Sequence, residues 1–546
     1  MTAEKNTWAV TMRGKMKIFK WLVGYDIVGG HAQNALPTLL HLALFLLFFM
    51  APTLMHAQTH QSYSPPVFTD PTRLQKIESV FPAIDKFYKE AAEKNHFPGY
   101  AFGIVVDGKL MHTGSGGYTD IANKIPATPQ SFFRIASMTK SFTAMAILQL
   151  RDAGKLNLDD PVYLYIPELK DQQLTQDAPA ITIRDLLTHA SGLPQDDPWG
   201  DRKLSETDEQ LIALIKKGLY FSTTTETTTE YSNLAYAMLG HIINKVSGMS
   251  YQSFIAENIW QPLGMQAAWE FAKVAPDKLA HGYKWVDDNW QEEALLHDGS
   301  FGAMGGIITS IEAFSRYVAL HQSAWPARDD ADTGPIKRSE LREMQYPWRF
   351  YDFVSDHKKQ DKTCALIKSY GYGLRWYRDC NAITYVGHSG GLPGFGSNWI
   401  ILPEYGIGVI LFANVTYAPA NDINLEVLET LVKAAQLKPR ELPASEILQQ
   451  RKQALLKFLP DWEDATHSPI FAENFFLDHS VEALKKQTRE LFLKAGKIVS
   501  ISEIVPENQL RGSFVMKGEK AALKIKFTLT PTNPPQIQAF EIKLIS

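Results

Sequence analysis

Apolar positions along this chain fall into two periods, and the places where the period changes mark its elements. Leu74, Ile77, Val80, Phe81, Ile84, Phe87 and Tyr88 recur at helical spacing and predict an amphipathic helix, interrupted or restarted at Pro82. A second helical run, Phe142, Ala144, Met145, Ile147, Leu148 and Leu150, starts just after Ser137 and ends near Gly154. A third, Leu234, Met238, Leu239, Ile242, Ile243 and Val246, stops before Gly248, and a fourth spans about Asp422 to Gln436. Strand-like segments lie between them. Ala101 to Val106 and Leu110 to Gly114 pair through an Asp107-Gly108 turn, and Ile383 to Val386 is followed by a hairpin. The hairpin's arms are Trp399 to Leu402 and Val409 to Phe412, joined at Pro403-Glu404-Tyr405-Gly406. The order predicts an α+β fold: an antiparallel sheet flanked by helices, an all-helical lobe, and a cleft between them.

Beyond residue 437 the pattern starts afresh. Helix-like stretches at Ile447 to Leu459 and Val481 to Ala495 precede strand-like Lys497 to Ile504, Leu510 to Met516, Ala521 to Leu529 and Gln536 to Leu544. We therefore divide the chain into a leader at 1–57, a Ser/Pro-containing linker at 58–72, a main domain at 73–437 and a small C-terminal α+β accessory domain at 438–546. The leader combines Lys5, Arg13, Lys15, Lys17 and Lys20 with the uninterrupted apolar run Leu42 to Met50 and small Ala57, the pattern of a signal peptide or an uncleaved membrane anchor. Export to the periplasm or the medium is expected, with membrane attachment through this segment as the alternative.

Composition narrows the class. With 55 basic and 59 acidic residues among 546, the formal charge of −4 removes the electrostatic footprint of a nucleic-acid binder. Cys364 and Cys380 are the only two cysteines; they flank an apparent strand around Tyr372 to Trp376 and are equally compatible with a disulfide and with two free thiols. Neither paired-cysteine metal spacing, nor H-E-x-x-H, nor a phosphate-cradling glycine loop is found, so no metal and no cofactor is implied.

The candidate chemistry begins at Ser137-Met138-Thr139-Lys140. At a helix start the serine oxygen lies beside unpaired N–H groups, and Lys140 comes round on the same face one turn later. A charged lysine cannot take the serine proton. Lowering its pKa from about 10.4 to about 7 disfavours the ammonium by roughly 5 kcal/mol and demands burial or cationic neighbours. About ninety residues on, Tyr231-Ser232-Asn233 opens the third helical run, offering a phenol to relay the proton and an amide able to bind a substrate carbonyl and the lysine at once. Further on, His388-Ser389-Gly390-Gly391 follows a strand, where the Gly391 and Ser137 N–H groups would form an oxyanion hole. Gly387 to Gly391 also fits G-x-S-x-G, but that elbow needs a helix directly after the serine, and a hairpin follows Ser389. His189 and Ser191 lie in a turn-rich stretch and read as structural.

The order S-x-x-K, Y-x-N, [K/H]-x-G resembles the serine β-lactamase and penicillin-binding family, in its class C β-lactamase, DD-peptidase and esterase branch. The likeness extends through Pro98-Gly99, Val106 to Lys109, Thr182 to Leu193 and Gly302 to Gly306, covering roughly 73–437. It implies that Ser137 is the acylated nucleophile, Lys140 its activating partner and Tyr231 the proton shuttle that would activate water in deacylation. Asn233 would orient the substrate, with His388, Gly390 and Gly391 lining the other wall. The expected activity is a serine hydrolase acting on amides or esters, with D-amino-acid peptides or small esters as substrates. The alternatives are a true class C β-lactamase and a penicillin-recognising sensor or scaffold without turnover. Two departures stand out. His388 replaces the lysine of penicillin-degrading members and is expected to gain charge, and with it affinity for carboxylates, as pH falls towards 6. The nine residues 222–230 replace the usual Pro-Gly turn before Y-x-N.

Overall fold

The computed structural model describes residues 63–359 and 362–545. The leader at 1–57 therefore lies outside the described residues. Among the described residues no helix is long and apolar enough to cross a membrane.

The first helical run forms α1, Arg73–Lys94. It passes through Pro82 without a break, contrary to the expected interruption, so the missing N–H of the proline costs one bond rather than the element. Its apolar stripe covers one face of a nine-stranded sheet. In chain order the strands are β1 Gly99–Val106, β2 Lys109–Asp120, β3 Ile125–Pro126, β4 Arg349–Val354, β5 Leu366–Tyr370, β6 Arg375–Asp379, β7 Thr384–Leu392, β8 Phe395–Leu402 and β9 Ile407–Ala413. They lie side by side in the order β3-β2-β1-β9-β8-β7-β6-β5-β4, every neighbouring pair antiparallel. Asp107 and Gly108, both with positive φ (48° and 78°), make the β1–β2 turn, a conformation whose twist matches that of the flanking strands.

Why the central strands read as nearly continuous apolar runs is visible in β8. Trp399 and Ile401 pack with α2 (Lys140–Asp152), α4 (Asn233–Ser247) and α5 (Ile311–Ser323) on one face. Ile400 and Leu402 pack with α1 and α6 (Ala420–Ala434) on the other. A sheet covered on both faces needs apolar side chains at odd and even positions alike. The helices α2 and α4, with α3 (Asp208–Lys216) and the short turns around them, form the helical lobe beside the sheet. The fold is α+β, as expected.

Cys364 and Cys380 are joined in a disulfide across the ends of the β5–β6 pair, beside the Leu366–Asp379 register position. From Ser445 on, the chain folds around a hydrophobic cluster of its own. Helices α7 (Glu446–Leu456) and α8 (Val481–Ala495) contribute Leu448, Leu455 and Leu484. The C-terminal sheet contributes Phe514, Leu523, Ile525, Phe527 and Ile542.

Candidate active site

Ser137 does not open α2 directly. It sits in a single 3-10 turn, Ala136–Thr139, that leads into the helix at Lys140. The turn is pinned from both sides. Ile135 N–H donates to the Ile307 carbonyl at 2.9 Å, and its own carbonyl accepts from Ser397 Oγ on β8 at 2.7 Å. Between these anchors Ala136 is held at φ +49°, a left-handed conformation costing an alanine on the order of 1 kcal/mol. The same close approach explains Gly390. A Cβ there would stand 2.2 Å from the Ile135 carbonyl oxygen and 2.4 Å from Ser397 Oγ, so β7 can lie against the Ser137 turn only as glycine.

Lys140 is fully buried, and each hydrogen of its ammonium has an acceptor: Ser137 Oγ at 3.0 Å, Asn233 Oδ1 at 2.7 Å and the Met304 carbonyl at 3.0 Å. Burial lowers its pKa from 10.5 to about 8, against the pull of Asp197, Asp201 and Asp196 and with help from Arg375. The neutral amine fits the same cage. It keeps two donors for Asn233 and Met304 and turns its lone pair towards the Ser137 hydroxyl.

Tyr231 is buried too and directs its phenol at Ser137; its ring centroid is 4.8 Å from Lys140 Nζ. Burial drives the phenol's pKa well above 10, with the nearby Tyr370 and Asp197 adding to the rise, so Tyr231 stays protonated at neutral pH. It can donate or relay a proton. Lys140, not a tyrosinate, is the group able to accept one.

Asn233 begins α4, whose N-cap Ser232 accepts from Ala235 N–H at 3.3 Å and whose last turn closes at Gly248 with φ 78°. The backbone N–H groups of Asn233 and Leu234 donate to the Asp196 carboxylate at 2.6 and 2.8 Å. Asn233 holds Lys140 as expected. Its amide nitrogen, expected to meet a substrate carbonyl, instead donates to Asp197 Oδ1 at 2.5 Å and Asp201 Oδ1 at 3.3 Å.

The histidine of the third motif differs most from expectation. His388 is 1% exposed; Nδ1 donates to the Ser389 carbonyl at 2.5 Å, and Nε2 accepts from the Tyr370 hydroxyl at 2.9 Å. Burial, followed by Arg375 and Lys140, pushes its pKa well below 6.5. The ring is a fixed neutral tautomer, and the expected gain of charge near pH 6 does not occur. The positive charge on this side comes from Arg375 of β6, whose guanidinium carbon is 5.5 Å from the Tyr231 ring centroid. Gly391 lies beside Tyr417, whose hydroxyl donates to Asp201 Oδ2 at 2.9 Å. Ser389 is in mid-strand, and β7 turns into β8 without a helix, so the G-x-S-x-G pattern is not a nucleophile elbow here.

Several participants have no motif of their own. The carbonyl of Met304 carries no side-chain signature. Asp196 and Asp197 come from a loop and Asp201 from the 3-10 turn Gly200–Arg202 that follows it; Arg375 lies where a strand was expected around Tyr372 to Trp376, with nothing in the pattern to mark it for the site. His189 does prove to be a positioning residue. Its Nδ1 accepts Ser232 N–H at 3.1 Å, and its ring lies 4.4 Å from Tyr231 and 4.5 Å from Tyr370. The loop that replaces the Pro-Gly turn is laced to the same stretch, with Glu226 N–H on the Ala190 carbonyl and Glu230 N–H on the His189 carbonyl at 2.8 and 2.9 Å.

The family profile described as Beta-lactamase matches residues 84–432. The chain belongs to the beta-lactamase family. Among curated relatives of this family, Protein flp of Staphylococcus aureus (strain N315) is 29% identical over 347 residues, 62% of this chain. That match spans 64% of the relative's own length. Penicillin-binding protein 4* of Bacillus subtilis (strain 168) is 24% identical over 463 residues, covering 82% of this chain and 93% of the relative. Among solved structures, the octameric penicillin-binding protein homologue from Pyrococcus abyssi superposes with a TM-score of 0.53 at 21% identity, over 82% of this chain and 96% of that one. The penicillin binding protein from Bacillus halodurans gives 0.50 at 24% identity, over 63% and 99%. Such distant likenesses establish the beta-lactamase/penicillin-binding fold.

Proposed function

We propose that this protein is an exported serine hydrolase that forms an acyl-enzyme on Ser137 and cleaves amide or ester bonds, with D-amino-acid peptides or small esters as substrates. The observation that carries the reading is the buried Lys140, 3.0 Å from Ser137 Oγ and held to a pKa of about 8. Neutral Lys140 takes the Ser137 proton as Oγ attacks the carbonyl carbon, and the N–H groups of Ser137 and Gly391 receive the developing oxyanion. Lysine and Tyr231 pass the proton to the leaving group, and Lys140 then activates the water that releases the acyl group. His388 fixes Tyr370 and the wall of β7, and Arg375 supplies charge for a substrate carboxylate. The Cys364–Cys380 disulfide supports an oxidising compartment.

Covalent labelling by a fluorophosphonate tests the assignment. Ser137→Ala should abolish it, Ser389→Ala should retain it, and Tyr231→Phe should slow turnover of p-nitrophenyl esters by about a hundredfold or more. Label that survives the first change and disappears with the second would overturn the nucleophile. Labelling followed by no steady-state hydrolysis of esters, D-Ala-D-Ala peptides or nitrocefin would instead identify a sensor.

A further inference from the structure

Which acyl group the cleft accepts follows from how Asn233 is occupied. An asparagine side chain has two N–H donors and one carbonyl. Here the carbonyl holds Lys140, and the nitrogen is engaged by Asp197 and Asp201, so no donor is left over for a substrate carbonyl. The group on offer at this wall is a carboxylate.

The three neighbouring aspartates are not equivalent. Asp196 is bound to the backbone at the start of α4, and Asp201 is buried and shared between Asn233 and Tyr417. Asp197 is exposed, and the Asn233 amide is its hydrogen-bond partner; no lysine or arginine among the described residues closes a salt bridge on it. An open carboxylate one residue removed from the Lys140–Ser137 pair repels carbonyl and carboxylate oxygens and attracts N–H donors, a cation most of all. Arg375 stands over the Tyr231 ring. Negative charge is thus carried at the Asn233 wall by Asp197 and positive charge beside Tyr231 by Arg375.

Resting on the acyl-enzyme reading above, we infer that Asp197 selects acyl groups with a free α-ammonium, making amino-terminal amino-acid amides and esters the substrates. The Ser137 proton moves to Lys140 as the Oγ–C bond forms. The C–N or C–O bond to the leaving group breaks as that group takes the proton back, and water then hydrolyses the ester to free the amino acid and restore Ser137. The substrate ammonium keeps its hydrogens throughout. Asp197 therefore determines specificity without touching the reacting atoms.

The test uses the full chain with D- and L-alanine p-nitroanilide and their N-acetyl counterparts. Wild type should favour the free amines in kcat/KM by on the order of tenfold or more, the scale of a hydrogen bond between charged groups. Asp197→Asn, which still offers Asn233 an acceptor, and Asp197→Ser should lose that ratio chiefly through KM, and Asp197→Glu should recover part of it; thermal melts establish that each variant is folded. Equal or better turnover of the acetylated substrates by wild type, with Ser137 still labelled by the fluorophosphonate, overturns the inference and leaves the hydrolase reading intact. A free-amine preference that persists in both Asp197→Asn and Asp197→Ser overturns the role of Asp197. Failure of Ser137 to label removes the hydrolase reading and this one with it.

Discussion

If burial makes Lys140 the base, the acylation rate must follow its titration. With a pKa of about 8, the neutral fraction is about 9% at pH 7 and about 91% at pH 9, so acylation should rise about tenfold and then level off. A lysine with the ordinary value of 10.5 would give about a hundredfold rise over the same interval and no plateau by pH 9. The sign follows from the cause. Desolvation disfavours the ammonium, so the active form appears as pH rises through about 8. Other groups facing the amine are Asp196, Asp197, Asp201, Arg375, His189, His388, Tyr231 and Tyr236. Of these Asp201, raised to about 7 mainly by its own burial, titrates closest and should make the limb shallower without moving its plateau. Neither His388 nor His189 should add an inflection near 6.5, since burial keeps both neutral. The assay is the pseudo-first-order rate of labelling by an uncharged fluorophosphonate from pH 6 to 9.5, with Lys140→Ala, expected to be slower by about a hundredfold or more, as the reference. A flat profile, or one still climbing steeply at pH 9.5, would refute the depressed lysine.

Two further outcomes follow from packing. Gly390→Ala should cost about 1–3 kcal/mol and most of the labelling, because the new methyl meets backbone and Ser397 beside the Ser137 turn; Gly391→Ala, which meets the Tyr417 side chain and no backbone, should cost less, as melting temperatures and labelling rates of the pair will show. Replacing Cys364 and Cys380 by serine should lower stability by about 3 kcal/mol, read from chemical denaturation, since the bond closes a loop of 16 residues.

That Ser137, Lys140 and Tyr231 would come together was legible because each belongs to a short motif beside an unmistakable helix. The sheet was legible where burial on both faces made Trp399 to Leu402 and Val409 to Phe412 apolar throughout. It was not legible in β4 and β5, where Asp352, Lys368 and exposed Phe350, Phe353 and Ile367 mix polar and apolar residues near a sheet edge. Pro82 misled because a single lost hydrogen bond counts for little in a helix of 22 residues packed along its length. The electrostatics of the cleft were hidden for another reason. Whether His388 could carry charge depended first on its burial and then on Arg375 and Lys140, a setting that only the fold creates.

The two walls of the cleft differ in how firmly they are built. On one side stand β7 to β9, nearly every residue buried and each strand bonded to two neighbours; on the other, residues 194–199 are mostly exposed and residues 222–230, all Ser, Thr or Glu, are held by hydrogen bonds without apolar packing of their own. Local opening is cheapest where few apolar contacts must be undone. Variation can therefore accumulate on the second wall without disturbing the first, which makes it the place for a mutagenic library intended to change which ligands the cleft accepts. Inhibitors anchored on the strands would keep their grip across the variants such a library produces, and those anchored on the loops would not.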